Sequence, residues 1–189
     1  PFLLYLSFAG PHAPYTPPAW AFDRSLGSPA HDGHRPADGN WRHLWQDRRA
    51  DHEPDAHVAE YDAETARRAR AGYFGNMTHI DAQLARLYAA LREFGLAYDT
   101  YVVFTSDHGE MLGDHGMWRK GYPYEASAGV PLLVAGPGVD GGRVCHDLVT
   151  LEDLMPTLLD LADVPVPGGL DGRSHAARVL GEPDTTPVH

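Results

Sequence analysis

The chain has 189 residues, enough for one domain or a large piece of one. Hydrophobic residues make up 43% and charged residues 22%, an ordinary globular composition that excludes a disordered chain. Acidic residues outnumber basic ones 26 to 15, for a formal net charge of -11, so no nucleic-acid partner is expected; a small anionic substrate needs only a local cation.

A single cysteine, Cys145, allows no internal disulfide. No apolar run approaches the roughly 20 residues that cross a bilayer, so no membrane partner is expected either. The 12 histidines invite a search for metal or acid–base chemistry, and the 16 prolines predict many ordered loops. The chain starts with Pro1 and the apolar run Phe2-Leu3-Leu4-Tyr5-Leu6-Ser7-Phe8, which reads as a buried strand of a parallel sheet. Such a strand needs neighbours, so the domain is expected to be truncated at its N-terminus; the alternative is an edge strand at a processed terminus. Gly10-Pro11-His12-Ala13-Pro14-Tyr15-Thr16-Pro17-Pro18 is too proline-rich for helix or central strand and predicts a rigid loop. Residues 20–57 read as a surface excursion with a short helix near Trp41 to Arg49.

A helix is expected from near Val58. Phe74, Met77, Ile80, Leu84, Leu87, Leu91 and Phe94 repeat at three and four residues along one face, and Gly95 suits the C-terminal cap. Arg67, Arg68 and Arg70 are expected on a solvated face. Thr100 to Thr105 predicts a second buried strand and Val130 to Ala135 a third, with Pro131 near its start. Strand, helix and strand in this order predict an α/β fold, a mostly parallel sheet flanked by helices. Thr150 is placed to cap a helix over Leu151 to Ala162, with Leu154, Leu158 and Leu161 on one face. Residues 164–189 are expected to wrap the surface as a tail, and the whole 1–189 is taken as one partial domain.

Sites in open α/β sheets form beyond the carboxyl ends of strands. The first strand leads to His12, and the second to Asp107 and His108. A carboxylate and an imidazole side by side at a strand exit can both reach a metal, although a satisfied surface pair has the same letters.

The loop continues Thr105-Ser106-Asp107-His108-Gly109-Glu110, then Gly113-Asp114-His115-Gly116 through Lys120, then Tyr124-Glu125-Ala126-Ser127 and Val130-Pro131-Leu132. With Pro11-His12-Ala13-Pro14, the stretch Tyr73 to Asp81 and Asp171-Gly172-Arg173-Ser174, these motifs resemble the sulfatase family of the alkaline phosphatase superfamily, in order and over nearly the whole chain. The resemblance implies an alkaline-phosphatase-like fold and a sulfuric ester hydrolase of the arylsulfatase type acting on a small anionic ester. It implies Asp107 and His108 as metal ligands, Lys120 as the cation that holds the sulfate group, and His12 as the histidine assisting the leaving oxygen. For His115 it leaves open a substrate contact or a hydrogen bond within its own loop. Glu110 is expected to organise that loop, and His79 and Asp81 to have structural roles.

Three departures accompany the resemblance. The family's formylglycine arises from Cys or Ser within C/S-x-P/A-x-R, and Cys145 lies in Arg143-Val144-Cys145-His146-Asp147, so it reads as a lone semi-buried thiol. The family's first pair of aspartates has no counterpart. Formylglycine and those aspartates are expected in a missing N-terminal part, and the chain alone is expected to be inactive; the alternative is a non-catalytic pseudoenzyme. His108 stands where many sulfatases carry Asn and bind calcium, which turns the expectation towards manganese, zinc or iron and keeps open a phosphonate monoester or phosphodiester hydrolase. Gly129 stands where a basic residue is expected before Val130-Pro131-Leu132. A different class altogether, a metal-binding module, would use His31, His34, His43, His52 and His57. An open sheet edge also predicts self-association, so a homo-oligomer is among the expected partners.

Overall fold

Asp62 starts the longest element: its carboxylate accepts the Thr65 amide at 2.7 Å and caps a helix. In the computed structural model, which describes residues 2–28, 61–121 and 123–182, the elements are α1 (Ala19–Leu26), α2 (Ala63–Glu93), β1 (Val102–Thr105), α3 (Glu125–Ala128), β2 (Leu132–Ala135), α4 (Leu154–Leu161) and α5 (Ala176–Leu180), with 3-10 turns at Asp114–Gly116 and Leu151–Asp153. None of these helices is long and apolar enough to cross a membrane. The chain forms two compact units: Pro1–Ala90 with His108–Val130, and Leu91–Asp107 with Pro131–His189.

In the first unit, α2 begins at Ala63 rather than near Val58, where Asp62 supplies the cap. Its most buried residues are Ala71, Gly72 and Gly75 rather than the large apolar stripe, of which Met77 and Phe94 are exposed. The three arginines expected on a solvated face instead make contacts, two with α1 and one with the loop at Leu112. Arg67 donates to the carbonyl of Leu26, an orphan acceptor at the end of α1. Arg68 lies over the Phe22 ring at 5.4 Å. Arg70 donates to Leu112 at 2.8 Å. Helix α1 corrects the expected start of the surface excursion: Pro18 offers its carbonyl to the amides of Ala21 and Phe22, and Ala21 and Ser25 are buried. The expected helix near Trp41 to Arg49 and the five histidines from His31 to His57 lie outside the described residues.

Phe2 to Phe8 does not form the expected buried strand. It pairs with no segment among the described residues and exposes Leu3 to 87% and Tyr5 to 88%.

In the second unit, β1 and β2 pair antiparallel, with Val102 opposite Ala135 and Thr105 opposite Leu132. This corrects the expected parallel arrangement for these two strands. A parallel pair needs a crossover connection, usually a helix. The long helix α2 precedes β1, and between β1 and β2 the described residues hold only a 3-10 turn and the four-residue α3. Pro131 falls just before β2, so its missing N–H costs no ladder bond. Helix α2 ends in a Schellman arrangement: the Leu96 amide reaches Leu91 at 2.8 Å, and Gly95 adopts φ +70°.

The core of this unit is apolar. Leu154, Leu158 and Leu161, the expected face, line a cavity of about 20 Å³ with Val103, Val134 and Val179. Val179 belongs to α5, so the segment from 164 contains a helix that packs against α4 rather than only a wrapping tail. What fixes α5 is a polar hub. Asp153 accepts from the Thr150 amide at 2.9 Å, the Arg173 amide at 2.8 Å and His175 Nε2 at 3.2 Å. The Thr157 hydroxyl donates to the Asp153 carbonyl at 2.6 Å and accepts the His175 amide at 2.9 Å. Burial pushes the Asp153 carboxyl up, but the hydrogen bonds from Thr150, Arg173 and His175 outweigh it and hold its pKa below the ordinary 3.8.

A group whose folded pKa is depressed contributes stability above its unfolded pKa and loses it as pH falls through the folded value. Asp153→Asn should therefore cost about 3 kcal/mol at neutral pH, with the gap to the parent closing as pH drops below 3.8. Urea denaturation across pH measures it; a gap independent of pH contradicts the ionised hub.

Candidate active site

Two glycines in the middle of α2 decide where the proline-rich loop lies. A Cβ at Gly72 would stand 2.5 Å from the Tyr15 carbonyl, and one at Gly75 2.7 Å from the Pro17 ring. Their absence lets residues 10–18 rest directly on the helix, with the Tyr15 ring edge-on to Tyr73 at 5.9 Å. This loop presents His12 on an exposed rim. His12 Nδ1 donates to the Ala13 carbonyl at 2.7 Å, because a carbonyl only accepts. The ring's lone pair then sits on Nε2, where it accepts from the Lys120 ammonium.

Lys120 ends a tightly folded loop. The Met111 amide meets the Arg119 carbonyl at 2.7 Å and the Gly113 amide meets Met117 at 2.8 Å, with Met111, Met117 and Trp118 buried beneath. Buried Ser127 ties both ends: its carbonyl accepts the Gly109 amide at 2.7 Å and its hydroxyl the Gly121 amide at 3.1 Å. That explains the serine of the Tyr124-Glu125-Ala126-Ser127 motif. Glu110 Oε1 accepts the amides of Leu112, at 3.4 Å, and Arg119. Its carboxylate also faces two phenols. Burial first and the Glu110 charge second push Tyr15 far above the ordinary tyrosine range, and the same two causes raise Tyr73. Both therefore stay protonated.

His108 stands edge-on to His12 with ring centroids 6.0 Å apart, and its Nδ1 donates to the Gly109 carbonyl at 2.8 Å. The first unit thus brings His12, His108, Glu110 and Lys120 together. Asp107, next to His108 in the chain, is exposed and is the last residue of its segment of the second unit. His115, at φ 55°, stacks on Tyr124 at 4.7 Å. His79 lies edge-on to Trp20 at 6.3 Å and Asp81 is exposed. Cys145 is an exposed thiol donating to Asp147 at 3.0 Å, not the semi-buried one expected. One stretch passed over by the sequence reading, Ser174-His175-Ala176-Ala177-Arg178, fits C/S-x-P/A-x-R by letter. There the Ser174 hydroxyl donates to Asp160 at 2.6 Å and accepts the Ala176 amide, a structural cap at the start of α5. No group of three or more His, Cys, Asp or Glu placed to hold a metal occurs among the described residues.

Helix propensity alone would reward replacing Gly72 by about 1 kcal/mol; the close approach of Tyr15 reverses that. Gly72→Val should destabilise by about 2 kcal/mol, the overpacking range, and shift the His12 resonances. An unchanged urea midpoint would remove this glycine from the site's support.

The chain matches the family described as "Sulfatase" over residues 1–164. It is 38% identical over 178 residues to an arylsulfatase of Clostridium perfringens, covering 92% of this chain and 36% of the relative. It is 42% identical over 105 residues to arylsulfatase K of Homo sapiens, covering 56% and 20%. Among solved structures, a phosphonate monoester hydrolase of Silicibacter pomeroyi superposes with a TM-score of 0.64 at 39% identity, over 70% of this chain and 26% of that one. A Bacteroides thetaiotaomicron protein described with the metabolism of multiple glycosaminoglycans gives 0.69 at 27% identity, over 93% and 33%. The chain therefore spans about a third of the length of the Clostridium relative, and similar or smaller shares of the others.

Proposed function

Because the chain belongs to the sulfatase family, we propose that its residues serve the hydrolysis of sulfuric esters of the arylsulfatase type, with a small anionic ester as substrate. The observation that carries the reading is the Lys120 ammonium donating to His12 Nε2 across 108 residues of sequence.

Cleavage of a sulfate ester spreads negative charge over the sulfuryl oxygens and the departing oxygen. Lys120 is a cation held in place beside an imidazole, suited to neutralise the former. His12 is anchored through Nδ1–H to Ala13, so Nε2, the nitrogen that accepts from Lys120, is the one that can take up a proton and pass it to the departing oxygen.

The donor chemistry of Asp107 and His108 fits a divalent ion. With Nδ1–H committed to Gly109, His108 keeps its lone pair on Nε2, the usual state of a ligating histidine whose other nitrogen donates to a carbonyl. A carboxylate with an imidazole suits manganese, zinc or iron better than calcium. When bound, such an ion supplies Lewis-acid stabilisation of sulfuryl charge. A formylglycine of the kind the family carries would supply the nucleophile, a part that none of the described residues assembled around His12 and Lys120 takes. The same reading places Phe2–Phe8 as a strand of a largely parallel sheet, supported by its nearly unbroken run of apolar side chains. Their exposure also supports self-association.

Phosphonate monoester hydrolysis is the second reading, favoured by His108 and by the likeness to the Silicibacter pomeroyi structure. A chimera in which this chain replaces the matching region of the Clostridium perfringens arylsulfatase decides between them. It should cleave 4-nitrophenyl sulfate faster than an aryl phosphonate and lose activity to a chelator. Lys120→Ala should lower kcat/KM by about 10²-fold or more, as removal of a transition-state donor does. A folded chimera preferring the phosphonate supports the second reading; one indifferent to Lys120→Ala sinks the assignment of that residue.

A further inference from the structure

We infer that Glu110 is a positioning residue for Lys120, acting through the backbone of the residues it holds. The inference rests on Lys120 as the cation that meets the sulfate group.

Leu112, at φ 48°, and Arg119, at φ 66°, are non-glycine residues in the left-handed region, where a Cβ is disfavoured. One oxygen, Glu110 Oε1, accepts the amides of both. Arg119 directly precedes Lys120, so its backbone torsions set the direction in which the Lys120 side chain leaves the loop. The carboxylate thus offsets a local backbone cost at the residue that aims the lysine. Strain of this kind persists only where surrounding contacts over-determine it. Ser127 closes the ends of the loop at Gly109 and Gly121, Arg70 holds the Leu112 carbonyl and the Met111 amide the Arg119 carbonyl, while Glu110 meets the amides of both left-handed residues.

The test uses the full chain and two readouts. Amide hydrogen exchange over residues 111–120 reports the loop. Affinity for inorganic sulfate, followed at the Lys120 amide resonance, reports the aim of the lysine. Glu110→Met, of similar volume but without the acceptor, should speed exchange in 111–120 about tenfold, leave exchange in α4 unchanged and weaken sulfate binding about tenfold, as for loss of one charge-assisted hydrogen bond. Glu110→Gln, which keeps a carbonyl acceptor, should restore most of both.

The decisive comparison is made in the Glu110→Met background. Arg119→Gly and Arg119→Ala lose the same guanidinium, but only glycine removes the left-handed penalty. The glycine variant should bind sulfate about fivefold more tightly than the alanine variant, the ratio expected for one such penalty. Equal affinities would overturn the proposal. Should Glu110→Met fail to fold, Glu110→Asp replaces it: its shortened carboxylate keeps the charge and loses the reach, and it should behave as the acceptor-less variant. An Asp variant that matches the parent while the Gln variant fails would mean that charge alone matters, and would overturn positioning. Failure of the parent chain to bind sulfate would instead count against the role of Lys120, with exchange still judging the role of Glu110 in the loop.

Discussion

The candidate site depends on a missing side chain. Residues 10–18 lie on α2 because Gly72 and Gly75 offer no Cβ to Tyr15 and Pro17. The contacts of His12 with Lys120 and His108 follow from that approach. With the loop lifted by even one methyl group, the imidazole would leave the Lys120 ammonium, and two chain segments more than a hundred residues apart would no longer meet. Glycine within a helix ordinarily costs stability; here the cost is offset by close packing of a rigid, proline-rich segment, and the gain is a fixed position for a histidine on an exposed rim.

The loop that carries Lys120 shows the same logic. It turns by left-handed residues, of which Leu112, His115 and Arg119 are not glycine. Such a backbone needs support from several sides: buried Met111, Met117 and Trp118 below, Ser127 at the two ends, Arg70 on Leu112 and Glu110 within. Rigid placement of a cation is what transition-state stabilisation requires, since a charge already oriented need not reorganise during the reaction. Burial first and the Glu110 charge second keep the phenols of Tyr15 and Tyr73 neutral beside this loop.

Much of this was legible in the sequence where the signal is local. The presence of a helix through Phe74 to Leu91, the Gly95 cap and the Thr150 cap came from spacing and capping chemistry and stand as read, whereas the face that α2 buries is its small residues and not the apolar stripe. The candidate residues His12, His108 and Lys120 came from ordered motifs, and the first unit brings these three side chains close to one another. What escaped was non-local. The antiparallel pairing of β1 and β2 depends on partner choice, which strand propensity does not encode. Helix α1 was hidden behind Pro17 and Pro18, which start it rather than exclude it. The arginines of α2 looked solvated because the carbonyls they cap lie 41 and 42 residues away. The hub at Asp153 draws His175 from 22 residues downstream, with no motif to mark it.

The central claim is that Lys120 and His12 form an anion-holding pair with a fixed tautomer. The most direct test is the ¹⁵N spectrum of the His12 ring with and without inorganic sulfate. The account predicts an Nδ1–H tautomer whose Nε2 resonance moves as sulfate takes over the Lys120 hydrogen bond, while the Nδ1 resonance stays with the Ala13 carbonyl. An Nε2–H tautomer, or a ring unmoved by saturating sulfate, would contradict it.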